Sequence, residues 1–378
     1  MGRKLKRDLI NKTSAFILLF SCIIISATGC GIWKNTHETD ADTTAYTKEN
    51  NVDIQQSTDF GTEDIVEPKL DPILEKVIRQ KLGYSDAVEL TSEDYESITS
   101  LEIFYEDIRS IDGISMLKNL TSLSISGGSI TDISELVLLE NIVSIDIYGN
   151  LVREIPDFSN CKELTQLYLT GNLIEDVEPL NRIGNLEFAN ISDNRVKSIK
   201  ALADSNNIGS IAIDNNCILD YESISKNEKL ISAINNGSQA TYEKFLETEQ
   251  IAQSVVSEFP KGLSELELEK YIYQYVMDNM EYEVTYRDGS AFGYYALTSG
   301  IGVCGDYAEL FCILANHAGL EAYVCGSETH AWNIVVLDGK KYHCDALWDE
   351  GQEEWVYFNL SGEEIAKIED HFFDDNRY

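Results

Sequence analysis

Apolar residues recur with a 22-residue period through the middle of the chain. The marker of each period is an asparagine, found at Asn150, Asn172, Asn194 and Asn216. Apolar residues stand eight, five and three places before each marker, and another stands two places after it. A single segment of this kind cannot bury its own apolar face, whereas a stack of about six can. The pattern therefore predicts a solenoid of short strands over residues 98–240.

The repeated spacing resembles the leucine-rich repeat, L-x-x-L-x-L-x-x-N-x-L. Just before the first period, PKLDPILEKVIRQKLG is similar to the helical cap that opens bacterial internalin-like repeat domains. The resemblance implies a helical cap over residues 68–97 and an asparagine ladder that satisfies backbone groups inside the stack. The expected fold class is α+β multidomain, in which an α/β-type repeat stack with short strands is followed by a second domain.

Aromatic and polar side chains occupy the outward positions of the predicted strands. Such a mixture on a concave sheet is typical of a recognition surface. The alternative is a scatter of exposed aromatics that binds nothing. The residues that we predict to bind a protein partner are Phe104, Asp146, Tyr148, Tyr168, Phe188 and Asn190.

Three short motifs in residues 241–378 point to thiol chemistry. GIGVCGDYAELF places Cys304 at the start of an amphipathic helix, ETHAWNIVV places His330 at the start of a strand, and YHCDALWDE places Asp345 on the next strand. A thiol attacks as thiolate, which a helix N-terminus and a neighbouring imidazole both stabilise. We predict a nucleophile, a general base and an orienting carboxylate, in that order along the chain.

Other histidines and cysteines compete for these roles. His343 is the main rival of His330, because it shares a strand face with Asp345. The histidines set aside because they lie in a tether, at a helix end or in the tail are His37, His317 and His371. A zinc site is the alternative to the triad, but its ligands lack metal-site spacing, so neither metal nor cofactor is expected. That alternative set is Cys304, Cys325, His330 and Cys344.

The three motifs resemble those of the transglutaminase-like superfamily of papain-type cysteine enzymes, and the resemblance extends over about residues 240–378. It implies a papain-like α+β domain in which Cys304 is the nucleophile, His330 the general base and acid, and Asp345 the third member. One departure is Leu347, where the family often has threonine in D-x-T-W-D. Side-chain donors to the oxyanion stay open among Tyr282, Tyr294 and Tyr295.

The implied reaction is acyl transfer through a thioester at Cys304. Water as acceptor gives hydrolysis, as in a cysteine peptidase, whereas a lysine amine gives protein cross-linking. The resemblance to bacterial surface members favours hydrolysis of a protein or peptide, with a cell-wall peptide as one candidate substrate. An inert adhesion protein is the opposing interpretation, in which the repeats alone act.

The first thirty residues carry the pattern of an export signal. Basic residues at 3–7 precede an apolar run at 15–25 that is short for a bilayer span. Small residues and then Cys30 follow, which resembles a bacterial lipoprotein signal whose cysteine is lipidated; an uncleaved signal anchor is the alternative. Residues 31–67 are polar and acidic, so we expect a solvated tether. We expect an extracytoplasmic protein held at the bacterial cell membrane by its lipid anchor alone.

Charge and cysteine usage narrow the partners further. The formal net charge is −36, and beyond residue 29 it is −40, since 24 Lys and Arg face 64 Asp and Glu there. Such a field repels phosphate backbones, so nucleic acid is not expected as a partner.

We expect a monomer with few or no disulfides, because Cys161 and Cys217 lie in well separated repeats. A buried structural role is predicted for Cys312, Cys325 and Cys344.

Overall fold

The computed structural model describes residues 70–104, 108–284, 292–327, 329–368 and 371. The predicted signal with Cys30 and the tether at 31–67 lie outside these residues, so lipidation and location stay predictions. Residues Pro68–Tyr378 form one compact unit. In the described part of this chain, no helix has the length and apolar character that a membrane span requires.

A capped helix opens the repeat stack. Helix α1 (Pro72–Leu82) begins after Asp71, whose carboxylate accepts the backbone N–H of Ile73 at 2.8 Å. It ends at Gly83, which adopts a left-handed conformation with φ 71°. The short helix α2 (Ser92–Glu96) follows. Buried Leu74 and Ile78 on α1 belong to the same apolar core as the repeats, so α1 covers the open end of the stack.

Six short parallel strands form the repeat sheet in chain order. Each residue pairs with the one 22 positions later, as Leu101 does with Leu123, so every period returns the chain to the same place. The strands are β1 (Ser100–Phe104), β2 (Ser122–Ser126), β3 (Ser144–Asp146), β4 (Gln166–Tyr168), β5 (Phe188–Asn190) and β6 (Ser210–Ala212). Short 3₁₀ turns alternate with them. The predicted solenoid is confirmed.

The asparagine ladder bonds the backbone of one repeat to that of the next. Asn172 is buried, and its side-chain oxygen accepts the N–H of Val152 at 3.0 Å. Its amide group donates to the carbonyls of Ile147 at 2.7 Å and Leu169 at 3.0 Å. The side chain therefore satisfies polar backbone groups that would otherwise be buried without partners.

Helix α3 (Glu228–Gly237) covers the far end of the stack, and helix α4 (Tyr242–Ser257) begins directly beyond it. The α3 backbone approaches β6 so closely that a Cβ on Gly237 would lie 2.3 Å from the carbonyl carbon of Ile211. Helix α4 is joined to the last repeat at Tyr221, whose N–H is accepted by Glu249 at 2.9 Å. The Tyr221 ring stacks on Phe245 with centroids 5.1 Å apart.

The remaining elements form a second, mixed core. Helix α5 (Glu265–Asn279), strand β7 (Glu281–Tyr282), helix α6 (Phe292–Ser299) and strand β8 (Ile301–Gly302) lead to helix α7 (Cys304–His317). An antiparallel sheet follows, with β10 (Ala331–Leu337) between β9 (Ala322–Gly326) and β11 (Lys340–Cys344), before the short helix α8 (Gly362–Ile365). Helix α7 is apolar on most sides and packs against this sheet, so its first turn is held rigidly at the edge of the domain.

Candidate active site

Cys304 is the first residue of helix α7. The turn before it is closed by Asp306, whose carboxylate accepts the N–H of Val303 at 2.8 Å. Gly302 allows this contact, since a Cβ there would lie 2.3 Å from the Cβ of Asp306. The Cys304 sulfur thus sits at a helix N-terminus, where the helix dipole and free N–H groups stabilise negative charge.

His330 immediately precedes strand β10 and links the thiol to a carboxylate. Its Nε2 lies 2.5 Å from Oδ2 of Asp345, and its ring also hydrogen-bonds Cys304. Because Nε2 is engaged by the carboxylate, Nδ1 is the nitrogen that faces the thiol. The ring is supported by Trp332, stacked at 5.9 Å, and by Trp348 at 5.3 Å. The predicted triad is therefore brought together in one chain of hydrogen bonds.

Asp345 is held from both sides. Its Oδ1 accepts the N–H groups of Leu347 at 3.0 Å and Trp348 at 3.1 Å, which fixes the carboxylate plane. Its Oδ2 accepts from His330 and, at 2.9 Å, from Nε2 of His371. Since the side chain is 2% exposed, water does not compete for these bonds.

His371 is the site residue that sequence reasoning missed. Its place near the end of the sequence gives no indication of a site residue, yet it is fully buried and packs against Trp348 with ring centroids 4.4 Å apart. Nothing in the local sequence pattern links it to Asp345, which lies 26 positions earlier. Trp348 in the third motif packs on His371, but the motif does not specify which ring it meets. The rival His343 is buried in the sheet and accepts the indole N–H of Trp332 at 3.0 Å.

The hydrogen bonds favour a thiolate–imidazolium pair. The bond to His330 is the largest cause that lowers the pKa of Cys304, and it outweighs burial. Burial lowers the pKa of His330, but its bonds to Asp345 and Cys304 outweigh burial and raise it to about 9. Burial also raises the pKa of Asp345, but the two histidines more than offset it and keep the carboxyl ionised. In contrast, burial raises the pKa of the nearby Cys325 well above its usual range.

These shifts predict the pH dependence of thiol alkylation. In the wild type, the rate of Cys304 alkylation by iodoacetamide should reach half its maximum well below the usual thiol pKa of about 8.5. In His330→Ala, the midpoint should rise towards that value, because the largest stabilising bond is gone. Mass spectrometry of the labelled peptide gives the rate at each pH. Identical midpoints in the two proteins would contradict the proposed ion pair.

Three groups in the site also have metal-ligand chemistry. The ligand atoms of His330, Asp345 and His371 lie within 4.8 Å of one another. A metal at this position would take the His330 nitrogen that Asp345 now orients. The hydrogen-bonded triad and a metal centre are therefore alternative uses of the same three groups.

Comparison with known families agrees with this geometry. Residues 250–359 match the family model described as the Transglutaminase-like superfamily. The region is a transglutaminase-like domain. Its three motif residues lie at the start of α7, directly before β10 and directly after β11, so the match covers the whole nucleophile–base–carboxylate arrangement.

The repeat region is similar to solved internalin structures from Listeria monocytogenes. An internalin, InlF, is 27% identical with a TM-score of 0.34, and the match covers 41% of this chain and 54% of that one. Internalin C2 is 22% identical with a TM-score of 0.28, covering 44% and 97%. The functional domain of InlJ is 16% identical with a TM-score of 0.33, covering 38% and 36%. This chain thus spans about half the length of InlF, and no curated protein sequence matches it significantly.

The transglutaminase-like domain and the repeats share one cleft. Cys304 and His330 open into a space of about 610 Å³, within the range of small-molecule and cofactor sites. The catalytic wall also includes residues 323–327 of strand β9 and its flank. The opposite wall is built from turns that follow the repeat strands, at residues 148–150, 171–173 and 193–195. The repeats therefore face the nucleophile directly.

The cleft changes the expected recognition surface. Of the six residues predicted on the concave face, Tyr148 lines the cleft and is 54% exposed. Phe104 is also exposed, whereas the rings of Tyr168 and Phe188 pack on each other at 5.2 Å. Asp146 and Asn190 hydrogen-bond Ser124 and Ser192 within the repeats. The predicted concave partner site stays a prediction.

Apart from Tyr148, the sequence does not predict the repeat-turn residues that line the cleft. Arg195 lies over the ring of Tyr323 at 4.4 Å, and so joins a repeat turn to strand β9. Asp193, two positions earlier, adopts φ 56° and accepts a hydrogen bond from the Asn215 side chain at 2.8 Å. The 22-residue period identifies the strands and turns but does not reveal which edge of the stack meets another domain.

The tyrosines considered as oxyanion donors lie elsewhere. Tyr294 and Tyr295 lie beneath Lys244 on helix α4, and Tyr282 is 51% exposed on strand β7. None of these three lines the cleft. The donors beside the nucleophile are backbone N–H groups, from Gly305 in the first turn of α7 and from Ala331 at the start of β10.

Proposed function

We propose that this protein is a thiol acyl-transfer enzyme that hydrolyses amide bonds in a protein or peptide substrate. The observation that carries the proposal is the Cys304–His330–Asp345 chain, open to a cleft whose second wall is the repeat stack. A transglutaminase-like domain and a repeat fold support a cysteine peptidase or acyltransferase with a binding region. We further propose that the acyl acceptor is water, which gives hydrolysis, rather than an amine, which gives cross-linking.

The reaction follows from the positions of the groups. The Cys304 thiolate attacks the substrate carbonyl carbon, and the N–H groups at the α7 N-terminus stabilise the oxyanion. The imidazolium of His330 gives its Nδ1 proton to the departing amine, leaving a thioester at Cys304. Water then attacks the thioester as His330 takes its proton, and the thiolate leaves with the acid released. Asp345 keeps the imidazole oriented throughout.

The cleft geometry favours an extended peptide. Its repeat wall takes residues from four successive turns, beginning at Tyr148 and ending at Cys217. Neighbouring parallel strands lie about 4.8 Å apart, so four turns span roughly 14 Å, or about four residues of extended chain. A substrate of this length touches the repeats while its carbonyl lies at Cys304. We propose that the repeats select the substrate within the cleft itself.

A peptide library tests the proposal. The wild type should convert selected peptides into shorter products or into deamidated ones, and an added primary amine should leave these products unchanged. If amine-containing adducts were the main product, the reaction would be cross-linking and not hydrolysis. Enzyme blocked with iodoacetamide serves as the blank, and product masses separate the three reactions. If Cys304 were readily alkylated but no peptide were converted, the result would favour a protein that binds its partner without catalysis.

A further inference from the structure

Two cysteines outside the triad meet where the last repeat touches the transglutaminase-like domain. Cys217 directly follows Asn216, the last marker of the repeat period, and Cys312 lies on helix α7. Their sulfur atoms are 2.6 Å apart, although 95 positions separate the residues in the chain. A disulfide is about 2.0 Å long, so a small side-chain movement brings the two sulfurs to bonding distance.

The two thiols differ in their access to solvent. Cys312 is fully buried, and its sulfur also lies 3.3 Å from the carbonyl oxygen of Ala322. Asn316 donates to that same carbonyl at 2.8 Å, which fixes the surroundings of the buried sulfur. Cys217 is partly exposed and lines the cleft that holds Cys304. A reagent in the cleft therefore reaches Cys217 first, with Cys312 directly behind it.

We propose that Cys217 and Cys312 form a disulfide that fastens the repeat stack to the nucleophile helix. The oxidant is a disulfide, of a small molecule or of a protein. Cys217 as thiolate attacks one of its sulfurs and releases one thiol, which leaves a mixed disulfide. Cys312 then loses its proton, attacks the Cys217 sulfur and releases the second thiol. One disulfide is thus consumed, one is formed, and two thiols leave with the two protons.

The bond has a direct consequence for the cleft. Cys312 and Cys304 are on the same helix, eight residues apart, while Cys217 belongs to the facing wall. The disulfide therefore fixes the spacing between the nucleophile and the repeat turns that face it. In the reduced protein, the contact with Cys217 and burial raise the pKa of Cys312 well above its usual range, so exchange begins at Cys217.

The sequence allows a clean test by peptide mapping. Cleavage after glutamate releases residues 188–222 and 310–321, and each peptide contains one cysteine. Full-length protein equilibrated with oxidised glutathione, denatured and labelled with iodoacetamide should give these two peptides joined, and a reductant should separate them. Alkyl label on both cysteines in the oxidised sample would overturn the proposal. So would a bond from Cys217 to any other cysteine.

Variants separate the bond from general effects of thiol loss. Cys217→Ser should abolish the joined peptide and leave Cys312 alkylated after denaturation, whereas Cys161→Ser in the repeat core should retain it. Reductant should lower the Tm of the oxidised wild type by on the order of 5 °C, since the bond closes a long loop. It should leave the Tm of Cys217→Ser unchanged. An equal Tm loss on reduction in both proteins would contradict a Cys217–Cys312 bond. Cys312→Ser should also abolish the joined peptide. If that variant fails to fold, Cys217→Ser alone is sufficient for the test.

Discussion

Cys304→Ala is expected to reduce kcat/KM for the best library peptide by roughly 10⁴- to 10⁶-fold. The reason is that the covalent intermediate forms on this sulfur. Of the two other thiols in the cleft, Cys325 is buried with a raised pKa, and Cys217 belongs to the facing repeat wall. Binding should survive, because the repeat wall is intact. The dissociation constant of the peptide is expected to stay within a few-fold of the wild-type value. Steady-state kinetics and calorimetry measure the two quantities.

The control for this substitution is Cys161→Ala. Cys161 is buried in the repeat core, where its sulfur lies 3.7 Å from the carbonyl oxygen of Val137. Its loss removes a thiol without touching the cleft, so turnover should persist. If Cys304→Ala kept wild-type turnover, the nucleophile would have to be another residue. If it lost binding as strongly as turnover, Cys304 would be needed for the shape of the cleft.

Asp345→Asn is expected to reduce kcat/KM by about 10³- to 10⁴-fold while the fold persists. Its Oδ2 accepts from the Nε2 atoms of both His330 and His371. An amide NH₂ in that place is a donor facing two donors, so His330 must present an unprotonated Nε2 and carry its proton on Nδ1. That tautomer cannot accept a proton from the thiol. Rotating the amide instead sets its NH₂ against the N–H groups of Leu347 and Trp348.

A neighbouring carboxylate provides the matched control. Asp349 is equally buried, but it accepts the Tyr273 hydroxyl at 2.6 Å and the N–H of Val356 at 2.7 Å. Asp349→Asn should lower the Tm and leave the pH midpoint of Cys304 alkylation unchanged. Asp345→Asn should raise that midpoint, because the imidazolium loses its counter-charge. Equal effects of the two variants on the midpoint would assign Asp345 a structural role only.

The repeat stack was predictable because the residues that define each repeat lie close together in the sequence. Each period places the same residue types at the same offsets. Each of the four marker asparagines accepts the N–H 20 positions earlier and donates to the carbonyls 25 and two positions earlier. The triad was predictable for a related reason. Each member lies in a short motif at the end of a helix or strand, and Cys304, His330 and Asp345 occupy about forty residues of sequence.

The contacts between elements were not predictable in this way. His371 reaches Asp345 from a segment without periodic pattern, and Cys217 meets Cys312 across 95 residues. Both depend on how complete units pack. The same holds for the wall of the cleft, since the pairing of Arg195 with Tyr323 is decided by the shapes of two surfaces. A single sequence contains no repeated signal for such contacts.

The parallel strands keep a constant register, so each period adds the same length to the repeat domain. The two ends of the domain nevertheless differ in their relation to the cleft. All described residues of the cleft wall come from Tyr148 onward, which leaves the first two periods outside it. Adding or removing a period near α1 would change the reach of the molecule without moving the nucleophile relative to its substrate. The same change beyond Tyr148 would shift every earlier turn by about 4.8 Å relative to the nucleophile, because the last repeat is joined to the catalytic domain. We therefore expect the catalytic end of the stack to set the length of the proposed peptide substrate, and the other end to set the overall length of the repeat domain.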